Sequence, residues 1–270
     1  MKIALFTLLL ILHLHASERI VMLSPSLTEI IFALGKGDEL VGVSSYSDFP
    51  EAAKSLPVVG GYTDPNLEKI IALKPTLVIG QHYNQKIFSQ LEHFGISTMK
   101  LRLERLEEIK KSILILSKRL GSKSGEALVQ AIDTAIAKIE PAEKSERVLI
   151  VYGLSEDLRR NNYVAHKGIF FDDIITLCGH ENAFKNALHL QPVLSYENII
   201  ALNPDRIIIL HSQRTEAHVN VEKALEAWRT VPTAASKAGK ITTVSESYIH
   251  IPSHRVAQTI TRLCREMQRD

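Results

Sequence analysis

Two glutamates occupy the same place in two copies of one motif. Glu68 lies in LEKIIALKPTLVIG (67–80) and Glu197 in YENIIALNPDRIII (196–209), with seven of fourteen positions identical at an offset of 129 residues. Each follows a helix-starting residue, Asn66 or Ser195, by two positions, which puts it in a helix first turn. A carboxylate there is stabilised by the helix dipole by about 0.3–1 kcal/mol, and when exposed it can also pair with a cationic partner. Catalytic chemistry finds less support. The sequence has no G-x-S-x-G, no H-E-x-x-H and no P-loop, and Gly35-Lys36-Gly37 follows a helix pattern instead of opening one. Asp172-Asp173 falls among Phe170, Phe171, Ile174 and Ile175 and is expected to mark the polar first turn of a helix. A zinc site lacks a second cysteine pair at ligand spacing, since Cys178 and Cys264 are the only two. No enzyme and no bound metal or other cofactor are expected.

The elements that must position these residues are duplicated as well. Ser17-Glu18-Arg19-Ile20 recurs as Ser145-Glu146-Arg147-Val148, so each half opens with a strand and later repeats a helix–Pro–strand unit. Strands are expected near 19–23, 40–43, 76–79, 207–210 and 240–244. Ser26 and Glu29 carry a capping-box signature for a helix that Gly35 stops. Other helices are expected at 171–178, 195–202 and 254–268. Alternation of strand and helix through Leu103 indicates a parallel α/β sheet. An amphipathic stretch, 122–140, then interrupts the pattern with Leu128, Ile132, Ala135, Ile136 and Ile139 on one face. As one helix it would be about 28 Å long and a stiff spacer.

The fold class read from this pattern is α/β, two similar lobes with mostly parallel sheets joined by one long rigid helix. The divisions are 17–121 for the first lobe, 122–141 for the joining helix and 142–270 for the second lobe, with a ligand cleft between the lobes. Residues 1–16 have a basic start, a short apolar run at 3–12 and a small residue, Ala16, at their end, which reads as a cleavable export signal. A soluble periplasmic location follows. An even cysteine count in an exported chain favours one disulfide over two free thiols. With 32 Lys+Arg against 30 Asp+Glu and no basic stripe, nucleic acid is not an expected partner.

Residues 19–29 (RIVMLSPSLTE), 41–50 (VGVSSYSDFP) and 66–75 (NLEKIIALKP) give the chain a close resemblance to the cobalamin-binding (BtuF-type) branch of periplasmic solute-binding proteins of the helical-backbone class. The resemblance covers nearly all of 19–268. It implies a monomeric receptor that feeds a transmembrane permease dimer with its cytoplasmic ATPase. It also implies a Cys178–Cys264 disulfide, and salt bridges from Glu68 and Glu197 to permease arginines. The cargo would be cobalamin or a related corrinoid, with haem or a ferric siderophore as the alternative. A chelatase-like enzyme of similar bilobal fold is the alternative of another class.

Ligand-binding loops should lie at the carboxyl ends of the strands. Tyr46 and Tyr62 match positions where cobalamin binders place aromatic residues. His82, Tyr83, Tyr163 and Tyr248 lie on corresponding loops. A tyrosine has a flat apolar face and a hydroxyl, which suits a large ring system with polar edges. The chain departs from the branch at Gln191, where Trp is usual, and in the loop 247–254, where His250 stands near the expected ligand. Imidazole is an axial donor to cobalt or haem iron, and His166 is a second such candidate.

Overall fold

A computed structural model describes residues 18–159, 161–187, 191–212, 216 and 219–269; the expected signal at 1–16 lies outside them. The first half builds a four-stranded parallel sheet from β1 (Ile20–Met22), β2 (Leu40–Val43), β3 (Leu77–Gln81) and β4 (Ser97–Leu101), in the order β2-β1-β3-β4. Helices α1 (Pro25–Ala33), α2 (Leu67–Ala72), α3 (Gln85–His93) and α4 (Leu106–Arg119) connect or follow these strands. Every residue of β3 is buried, as expected for a parallel strand covered on both faces.

The second half builds a mixed sheet. It contains β5 (Arg147–Tyr152), β6 (Asn162–Val164), β7 (Glu181–Asn182), β8 (Val193–Leu194), β9 (Arg206–Leu210) and β10 (Ile241–Val244). The order is β10-β9-β5-β6-β8, with β10, β9 and β5 parallel, β6 antiparallel to both β5 and β8, and β7 parallel to the start of β5. The helices are α6 (Phe170–Leu177), α7 (Tyr196–Leu202), α8 (Val221–Arg229), α9 (Ala234–Lys237) and α10 (Val256–Met267). Trp228 on α8 is fully buried in a core confined to this half, beside Leu149, Ile199 and Ile209.

The two sequence echoes form one physical unit. Arg19 donates to the carbonyls of Leu73 and Lys74 at the end of α2, and Arg147 donates to those of Leu202 and Asn203 at the end of α7. Lys74 and Asn203 both take left-handed backbone, φ 47° and 45°, immediately before Pro75 and Pro204. The arginine that opens each lobe's first strand therefore closes the C-terminus of its repeat helix, satisfying carbonyls that have no partner within the helix.

Two expectations are corrected. The joining helix α5 runs Gly125–Ala137, thirteen residues and about 20 Å, not 122–140. Ser122 is occupied at its start, donating to the Leu34 carbonyl and accepting from Ser124 N–H. At the other end, Pro141 disfavours helical backbone at the residue before it. Nor is Glu29 the partner in a capping box. The cap of α1 is Ser24, Pro25 takes the first helical position, and Glu29 is buried.

A second apolar core is continuous between the lobes. It includes Ile20, Ile30 and Leu77 of the first half, Ile132 of α5, and Ile150, Phe171 and Ile260 of the second. Cys178, which caps α6, is disulfide-bonded to Cys264 in α10, with Cα atoms 5.3 Å apart. No helix among the described residues is long and apolar enough to cross a membrane.

Candidate ligand cleft

In the first sheet, β1 connects towards β2 on one side while β3 lies on the other. Loops leaving the carboxyl ends of β1 and β3 diverge there and open a crevice. A cavity of about 370 Å³ occupies it. Its floor is Ser24-Pro25-Ser26 after β1 and Gln81 at the end of β3, where Gln81 Nε2 donates to Ser24 Oγ at 3.0 Å. Tyr46, Tyr62 and Tyr83 stand around one side, and His250-Ile251-Pro252, from the loop after β10, close it from the other lobe.

The tyrosines are held by their backbones. Ser45, next to Tyr46, donates through N–H and hydroxyl to the Gly60 carbonyl, so the loops carrying Tyr46 and Tyr62 brace each other. Gly60 has φ +122°, and a Cβ there would fall 2.9 Å from Asn66 N. Asn84 donates to the Tyr62 carbonyl at 2.8 Å and accepts from Gln81 N–H at 2.9 Å, which joins the Tyr62 loop to the end of β3. The rings of Tyr62 and Tyr83 meet edge to face with centroids 5.8 Å apart. Residue exposure runs from 37 % at Tyr83 to 58 % at Tyr46, so all three lining tyrosines keep surface open to contact. Burial, with smaller contributions from Tyr62 and Glu104, pushes the Tyr83 phenol far up, and it stays protonated.

His250 has the opposite character. Burial, reinforced by nearby His211, pulls its imidazole down to about 4, so it is neutral at pH 7. Its ring lies 5.9 Å from that of Tyr152. A neutral imidazole on a cavity wall is an available nitrogen donor.

Other expected residues fall elsewhere. Tyr163 lines a neighbouring hollow of about 560 Å³ with Tyr152, Asn161 and Glu216. His82 turns to Glu104, with Nδ1 2.6 Å from its carboxylate, and its ring lies against Tyr83. Gln191 donates to the Val164 carbonyl, and His166 Nδ1 sits 2.8 Å from the Lys167 carbonyl. Tyr248 is set apart from the cleft, facing a groove between α5 and α10 with Lys138 and Arg265. Glu68 and Glu197 are exposed in the first turns of α2 and α7, each beside a side-chain cap: Asn66 accepts from Lys69 N–H, Ser195 from Asn198 N–H. Backbone and Ser195 hydrogen bonds hold the Glu197 carboxyl below the usual range. Asp172 and Asp173 do more than polarise a helix start. Asp172 accepts from Gly168 and Asn182, and Asp173 forms an ion pair across the lobes with Arg105.

Gln81, Ile251 and Pro252 were not among the expected site residues. A polar residue closing an otherwise apolar strand, LVIGQ, was the available signal for Gln81. Among the described residues no cluster of three or more His, Cys, Asp or Glu is placed to hold a metal ion.

Residues 20–247 match the model of a family described as periplasmic binding protein. The chain belongs to that family. Members are binding proteins rather than enzymes, and the relatives of this one include vitamin B12 and haem binders. The vitamin B12-binding protein of Salmonella paratyphi A is 35% identical over 217 residues, covering 76% of this chain and 78% of that one. Among solved structures, the periplasmic vitamin B12-binding protein BtuF of Vibrio cholerae superposes with a TM-score of 0.72 at 26% identity, covering 93% of this chain and 96% of that one. The apo periplasmic haem-binding protein RhuT from Roseiflexus sp. RS-1 gives 0.74 at 28% identity, covering 93% and 97%. The bilobal α/β architecture of this periplasmic binding protein is thus shared with both ligand classes.

Proposed function

We propose that this protein captures cobalamin or a related corrinoid in the interlobe cavity and delivers it to the permease of an ABC importer. The observation that carries this is the cavity wall: three tyrosines of one lobe face an apolar Ile251-Pro252 edge of the other. Flat aromatic faces with hydroxyl tips suit a broad ring whose rim is polar. The 35% identity to a vitamin B12-binding relative supports the same reading. Glu68 and Glu197 serve as docking carboxylates, one per lobe, for arginines of a two-fold permease dimer that works with a cytoplasmic ATPase. The receptor acts as a periplasmic monomer after removal of 1–16.

Haem is the second reading, favoured by the neutral His250 imidazole on the cavity wall, which suits an axial iron position. Calorimetric titration of the mature protein with cyanocobalamin, cobinamide, haemin and a ferric siderophore decides between them. Submicromolar binding of the two corrinoids alone is the expected result. Tight haemin binding with a histidine-ligated visible spectrum, lost in His250→Ala, selects haem. Failure of all four probes to bind below about 100 μM, roughly −5.5 kcal/mol, refutes both. For docking, reversing Glu68 and Glu197 to Lys abolishes uptake and leaves affinity unchanged; lost affinity in that double variant counts against the assignment.

A further inference from the structure

The walls of the cavity come from different lobes and must be held in register. Glu29, on the buried face of α1, and Arg255, just ahead of α10, are 4% and 7% exposed and lie 226 residues apart in the chain. Arg255 Nε donates to Glu29 Oε2 at 2.9 Å, and its terminal nitrogen donates to Oε1, making a two-pronged pair. Ser253 donates its hydroxyl to the same Oε2 and accepts Arg255 N–H at 3.2 Å. The guanidinium carbon sits 3.9 Å from the centre of the Phe49 ring, within cation–π range.

The placement of these partners is what matters. Phe49 is three residues beyond Tyr46, and Ser253 is three beyond His250, so one ion pair grips both loops that wall the cavity. Glu29 stands about one helical turn past the Ser24–Ser26 floor. Its neighbour Thr28 bonds the Ser24 carbonyl and the Ser47 hydroxyl, extending the grip to the Tyr46 loop. Among the described ion pairs it is the only one with both side chains less than a tenth exposed. A buried pair is costly to desolvate, and apolar residues of equal volume stabilise a fold at least as well. Stability alone is therefore a poor account of it. The other described bridge between the lobes, Arg105–Asp173, has its arginine 46% exposed.

We propose that Glu29 and Arg255, with Ser253 and Phe49, form a positioning clasp that sets the two walls of the binding cleft before ligand arrives. The clasp rests on the cavity being the ligand site and is independent of which ring system binds there. Its energetic role is preorganisation: loops already ordered lose less freedom on binding.

The test uses the mature protein and three variants: Glu29→Gln, the double apolar variant Glu29→Met/Arg255→Met, and Arg105→Ala. Amide exchange of segments 44–50 and 247–254 is followed without ligand, and cyanocobalamin and haemin are titrated by calorimetry. The double variant should keep a melting temperature near wild type, because the apolar pair packs without unpaired charge. Both segments should nevertheless exchange roughly ten-fold faster or more in it, and the probe that wild type binds should bind roughly ten-fold more weakly. Glu29→Gln should behave alike even if less stable. Arg105→Ala should leave 247–254 protected. Wild-type exchange and affinity in the double variant would overturn the clasp, as would equal loosening of 247–254 by Arg105→Ala. Should wild type bind neither probe, the ligand reading fails, while exchange in the free protein still decides the clasp.

Discussion

At the scale of single residues, the cleft separates side chains that the sequence alone presents as equals. Tyr46, Tyr62 and Tyr83 meet at one cavity, while Tyr248 lies against α5 and α10. Tyr83→Ala removes a packed ring face and should weaken binding roughly 10- to 100-fold, about 1.4–2.8 kcal/mol. Tyr248→Ala should change affinity less than about three-fold, which calorimetry resolves. Histidine protonation gives a second expectation. Burial lowers both His250 and His254 to about 4, with His211 and Arg255 respectively adding to the effect. The unfolded chain then takes up protons that the folded one refuses. Stability is complete above pH ~6.5 and falls as the pH drops towards 4, each imidazole withdrawing at most about 3 kcal/mol. Urea midpoints measured at pH 7 and pH 4.5 should show the fall, and His250→Phe should reduce it. Tyrosines on strand-end loops could be picked from sequence because loop position follows from strand position. Their convergence could not, since it depends on how loops 44–50 and 60–66 and the turn 82–84 bend in three dimensions.

At the scale of elements, the repeat was legible because it is local. Helix, proline and strand follow each other within fourteen residues, and both copies fold as expected, as α2–β3 and α7–β9. The partnership between echoes is not local: Arg19 and Arg147 lie 54 to 56 residues along the chain from the carbonyls they satisfy. Arg147→Ala removes two such bonds and the guanidinium contact to Asp205 while keeping the backbone N–H bond to it, and should cost about 1–2 kcal/mol by denaturant titration without altering ligand affinity. The disulfide spans 86 residues, and loop closure of that length contributes roughly 4–5 kcal/mol in the chain-entropy model. Cys178→Ala/Cys264→Ala should therefore lower the denaturation midpoint substantially while the folded fraction still binds. The capping-box reading of Ser26 and Glu29 failed for an instructive reason. A Ser-x-x-Glu pattern specifies local geometry only, and here the helix starts earlier, at the Ser24 cap, which leaves Ser26 and Glu29 inside it and Glu29 buried against Arg255.

For the molecule as a whole, the shared core limits how far the lobes can separate. Ile132 of α5 packs in the same apolar cluster as residues of both halves, and Arg105–Asp173 bridges them at the surface. Ligand binding should therefore change the radius of gyration by less than about 1 Å in small-angle scattering, in keeping with preorganised complexes; a larger contraction would contradict a fixed cleft. Two lobes were readable from the duplication, but their common core was not, because periodicity marks a buried face without saying which neighbour covers it. The position of Trp228, the chain's only tryptophan, has an optical consequence. It is sealed in the core of the second half and is absent from the cavity wall, which instead carries three tyrosines. Emission colour from the indole then reports whether the second half remains folded. Energy transfer to a bound coloured macrocycle dims that emission without shifting it. One cuvette thus distinguishes a variant that has lost its cargo from one that has lost its fold.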